Sequence, residues 1–74
     1  MVLATEILVF KTNILTDDHL TRIRNVLSPV PAIRRWNVDT DDIDCVLRIE
    51  ANEFTCEQII HLITNAGFHC QELD

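Results

Sequence analysis

Three histidines and three cysteines are the side chains whose types could carry metal or redox chemistry here: His19, His61 and His69, with Cys45, Cys56 and Cys70. Imidazoles and thiolates ligate soft and borderline metals, but a metal centre generally needs three or more converging ligands. Their spacing works against convergence. His69 and Cys70 are neighbours in an extended stretch and so point to opposite faces. Cys56 falls on the apolar face of a helical pattern, where a free cysteine behaves as a small hydrophobe. Cys45 and Cys70 have inward strand parity, and His61 lies on the polar side of the second helix. His19 stands apart, in the first turn of a helix beside Asp17 and Asp18, and reads as a solvated histidine with no obligatory partner.

Asp39, Asp41, Asp42 and Asp44 make an acidic turn. Asp39 and Glu50 are spaced like the first and last ligands of a calcium-binding loop. Asp44 occupies the position where that loop needs glycine, and Ile43 sits where a ligand is required, so a solvated hairpin tip is expected. No serine or cysteine nucleophile sits beside a histidine on a turn, and no glycine-rich phosphate loop exists. The chain is expected not to be an enzyme and to carry no cofactor.

The elements that must position these residues fit in 74 residues, one domain spanning positions 1–74 with a single modest core. Six basic against twelve acidic side chains give a formal net charge of −6. Nucleic acid and anionic membrane surfaces are therefore not expected partners. An odd number of widely spaced cysteines disfavours a disulfide framework and fits a reducing cytoplasm. The first six residues carry no basic region, and no apolar run reaches the ~20 residues of a membrane span.

Thr5 to Lys11 reads as a strand. Thr16-Asp17-Asp18 is a helix start, with Thr16 as cap and two carboxylates at the positive end of the dipole. Leu20, Ile23, Val26 and Leu27 form its apolar stripe, Asp18 and Arg22 stand at ion-pair spacing, and Ser28-Pro29 ends it. Ile33 to Asp39 and Cys45 to Glu50 alternate as the two strands of a hairpin. Thr55 and Gln58 have the capping-box form, and Cys56, Ile59, Ile60, Ile63 and Ala66 give the second helix one apolar face. Gly67, the only glycine, sits where a left-handed C-terminal cap is wanted, and Phe68 to Leu73 follows as a last strand. The order βαββαβ is that of an α+β ferredoxin-like sandwich, with two helices covering one face of a four-stranded antiparallel sheet.

Particular residues then sharpen the picture: Ile23-x-x-Val26-Leu27, Pro31-Ala32-Ile33, Trp36-x-Val38-Asp39 and, above all, Ile59-x-x-x-Ile63-x-x-Ala66-Gly67-Phe68. From about Ile7 to Leu73 the chain resembles the heavy-metal-associated domains, which include copper chaperones and modules of copper-transporting ATPases. The resemblance implies a Met-x-Cys-x-x-Cys metal loop between the first strand and first helix. Here the methionine position falls on Ile14 and the cysteine positions fall on Thr16 and His19. A hydroxyl and an imidazole cannot replace two thiolates in selecting Cu(I). The expectation is a binding or interaction module with its Cu(I) site lost. The alternative is a metal carrier with altered ligands around His19. Two surfaces are candidates for partners. The register of the resembling family implies that Leu8 and Phe10 face the helices, so the other face of the sheet should carry Ile7, Val9 and Val46, flanked by Lys11, Arg48 and Glu50, open to a protein partner or a second copy. Arg22, Arg24, Arg34 and Arg35 would form a weaker basic edge.

Overall fold

The computed structural model describes residues 5–73. Its elements are β1 (Thr5–Thr12), α1 (Asp17–Leu27), β2 (Ile33–Asp39), β3 (Val46–Asn52), α2 (Cys56–Asn65) and β4 (Cys70–Glu72). The strands form one antiparallel sheet in the order β2-β3-β1-β4, so β1 and β3 are central. Among the described residues no helix is long and apolar enough to cross a membrane.

Period-two alternation decides which face is covered. Leu8 opposes Ile49 and Phe10 opposes Leu47 on the helix side, while Ile7 opposes Glu50 and Val9 opposes Arg48 on the other. Phe10, Leu47 and Ile49 are fully buried against Ile23 and Leu27 of α1 and Ile59 and Ile63 of α2. Each such side chain contributes about 1.5–3 kcal/mol over leaving it in water.

Both helices begin on capping boxes. Thr55 Oγ1 accepts from the Gln58 N–H while the Gln58 side chain accepts from the Thr55 N–H. Helix α2 ends as the glycine predicts: Gly67 has φ +97, its N–H donates to the Thr64 carbonyl, and the Phe68 N–H reaches back to the Ile63 carbonyl. Those two bonds are the Schellman pair, and they turn Phe68 into the core.

The expected Asp18–Arg22 pair is absent, since the ion pairs among the described residues are Lys11–Asp44 and Arg35–Glu50. Arg22 instead donates to the Ala66 carbonyl at 2.8 Å, and its guanidinium lies 4.9 Å from the centre of the Phe68 ring. A buried aromatic beside the electronegative end of a helix offers a guanidinium more than an exposed aspartate one turn away does. The basic edge does not assemble as a unit, because Arg22 is taken up at the end of α2 and Arg35 is held by Glu50.

Three strands have different bounds from those expected. Strand β1 runs one residue further, to Thr12. Strand β3 starts at Val46 because Cys45 takes a left-handed conformation, φ +42, and it runs on to Asn52 before Glu53, φ +53, ends it. Strand β4 keeps only Cys70–Glu72, since Phe68 is used in the turn that stops α2.

A Cβ on Gly67 would stand 3.3 Å from the Arg22 guanidinium as well as strain the positive φ. Gly67→Val is therefore expected to lower unfolding stability by about 2 kcal/mol or more, and Gly67→Ala by less, read as a shift in the urea midpoint.

Candidate functional site

The β1–α1 loop, the β2–β3 turn and the α2–β4 turn meet at one end of the sheet. Thr12 laces the first two together: its N–H donates to the Asp44 carbonyl at 3.0 Å and its hydroxyl to the Cys45 carbonyl at 2.6 Å. The same oxygen accepts from the Ile14 N–H at 3.2 Å, and Thr12 is buried. Asn13 ties in the third turn, accepting from the His69 N–H at 2.9 Å. Every backbone turn at this end is thus held by a neighbour.

His19 is not the solvated histidine the sequence predicts. Its Nδ1 accepts from the N–H groups of Leu15 at 3.1 Å and Thr16 at 3.2 Å. The Thr16 hydroxyl accepts from the His19 N–H at 3.1 Å, which completes a capping box with histidine at the third helical position. The imidazole meets the Phe68 ring edge to face, with centroids 5.1 Å apart. The half-buried ring therefore closes the loop, satisfies two free N–H groups and packs on the core, all from one side chain. The signal for this was in the sequence as Thr16-x-x-His19, a capping-box spacing with histidine in place of glutamate or glutamine.

The arrangement does not fit a bound copper ion. Ile14 is fully buried, Thr16 Oγ1 is occupied by the cap, and His19 offers one free nitrogen, Nε2. Among the described residues no group of three or more histidine, cysteine or acidic side chains is placed to hold a metal. His61 and His69 are exposed on different elements.

The cysteines lie elsewhere. Cys45 is buried at the start of β3. Cys56 is half-buried at the start of α2 rather than a full member of the core, and its thiol donates to the Glu72 carboxylate at 2.9 Å. That bond, followed by burial, pushes the Cys56 thiol up to about 11. Burial, followed by the neighbouring Cys56, pushes Cys70 up to about 11 as well. Thiols held protonated are poor nucleophiles and poor metal ligands.

The face of the sheet away from the helices carries Ile7, Val9 and Val46, the side chains expected there. Ile7 is 61% exposed, and Val9 and Val46 are half-buried beside it. Leu73, whose N–H donates to the Val9 carbonyl at 2.9 Å, extends this apolar row and was not picked out from sequence.

Solved structures identify the architecture. The apo metal-binding domain of a copper chaperone for superoxide dismutase superposes with a TM-score of 0.81 at 12% identity, covering 97% of this chain and 70% of that one. The fold is that of the heavy-metal-associated domains. The copper(I)-loaded first domain of the human copper chaperone for superoxide dismutase gives 0.78 at 13% identity, covering 93% of each chain. A yeast copper transporter domain, known in apo and Cu(I)-loaded states, gives 0.77 at 16% identity over 96% and 97%. No family model and no curated protein sequence matches the chain.

Two variants test this site. His19→Ala is expected to cost about 1–2 kcal/mol of unfolding stability, and His19→Gln less, because glutamine keeps the capping box and loses only the ring contact. Alkylation of Cys56 at pH 9, followed by peptide mass, is expected to be slow in the wild type. It should speed up in Glu72→Gln, where the thiol moves down from about 11 and more thiolate is present.

Proposed function

We propose that this protein is a small non-enzymatic binding module on the heavy-metal-associated fold, with a β1–α1 loop that no longer carries Cu(I). The observation that carries this reading is the double use of His19 Nδ1 by the Leu15 and Thr16 N–H groups. The two positions where the fold's copper ligands would stand are spent on closing the loop. Soft thiolates select Cu(I), and neither position supplies one.

Binding then passes to the open face of the sheet. Ile7, Val9 and Val46 are the apolar centre of that face, and Lys11, Arg48 and Glu50 border them. Monomeric proteins normally leave such side chains scattered singly, so a contiguous row supports a docking role. A small, non-enzymatic domain of this kind acts by holding a protein partner, in the cytoplasm on the reading of its cysteines.

A Cu(I) competition titration against a chromophoric chelator tests the loss of the metal role. No transfer of copper to the monomer is expected. Stoichiometric binding that disappears in His19→Ala would overturn the reading and establish a metal carrier built on His19 instead.

A further inference from the structure

The open sheet face holds a hollow of about 240 Å³ lined by Ile7, Arg35, Trp36, Asn37, Arg48 and Glu50. Its apolar wall is Ile7, the most exposed large hydrophobic side chain in the sheet. Its charges are unequal. Arg35 is bound to Glu50 at 3.3 Å, whereas among the described residues no carboxylate lies within ion-pair distance of Arg48. The hollow therefore suits an aliphatic side chain that arrives with a carboxylate beside it.

This chain carries such a group. The β2–β3 turn reads Asp41-Asp42-Ile43-Asp44, and Ile43 is 96% exposed, more than any other large hydrophobic described. The turn is shaped before any partner arrives. Asp39 Oδ1 accepts from the Asp41 N–H at 3.1 Å, Asp42 Oδ1 accepts from the Asp44 N–H at 2.8 Å, and Thr12 holds the Asp44 and Cys45 carbonyls. A pre-shaped turn loses little freedom when it docks.

We propose that the occupant of the hollow is the Ile43 turn of a second copy of this chain. Ile43 enters beside Ile7, and Asp41 and Asp42 meet Arg48, Asp44 being paired with Lys11 of its own copy. This rests on the open face being the docking surface, and it adds what docks there. The two surfaces differ, so the contact is heterologous and propagates head to tail or closes into a ring. One side chain and one or two charge contacts make a small interface, so association is weak and salt-sensitive.

Sedimentation over a wide concentration range at low salt tests it with five samples: wild type, Ile43→Ser, Arg48→Glu, an equal mixture of those two, and Ile7→Lys. Wild type is expected to grow in mass with concentration and to dissociate as salt rises. Ile43→Ser and Arg48→Glu, each folded by circular dichroism, are each expected to associate about tenfold or more weakly. Their one-to-one mixture is expected to regain a dimer and nothing larger, because one copy keeps the socket and the other keeps the turn. A wild type that is monomeric throughout would overturn the proposal, as would a mixture that stays monomeric while wild type associates. If Ile43→Ser associates like wild type and Ile7→Lys does not, the proposal falls and the sheet face remains the docking surface. If neither substitution alters association, both readings fall.

Discussion

One imidazole organises the β1–α1 end of the molecule. The first N–H groups of a helix and the loop before it have no internal partners, and leaving them unmet costs free energy. His19 meets two of them through Nδ1 and places its ring on Phe68. Phe68 is held in turn by the Gly67 turn and by the Arg22 guanidinium, which also takes the Ala66 carbonyl. The start of α1, the end of α2 and the core between them are therefore one connected set of contacts. The loop is closed from within by hydrogen bonds to one side chain.

The fold was legible because core volume and periodicity carry it. The inward residues of β3, the stripes of both helices, and the Thr55–Gln58 box read directly from spacing, whereas in the all-apolar Ile7–Phe10 run only the register of the resembling family gives the inward face. Gly67 was legible for a different reason, since a left-handed cap leaves few alternatives to glycine. These features specify the architecture without reference to any ligand. That is how 12–16% identity coexists with TM-scores near 0.8.

What was not legible was where polar side chains find their partners. Arg22 has an aspartate at ideal helical spacing and prefers the end of another helix, which only tertiary proximity supplies. The role of His19 does not show in the sequence because capping boxes are expected from glutamate and glutamine, while an imidazole at the same position offers an equivalent acceptor. The left-handed Cys45 and the short β4 reflect the hydrogen bonds of Thr12 and the turn after α2, neither visible as a local pattern. Val46 reads as open-face from its alternation with Leu47 and Ile49, while Ile7 and Val9 read so only through the register of the resembling family. The hollow beside them depends on side-chain packing and could not be read that way.

The central claim is that His19 closes the β1–α1 loop through Nδ1. A long-range proton–nitrogen correlation spectrum of the imidazole ring, recorded with the ring neutral, measures this directly. If the account holds, His19 carries its proton on Nε2 and shows an unprotonated, hydrogen-bonded Nδ1. A His19 ring protonated on Nδ1, or one averaging freely between the two tautomers, would contradict it.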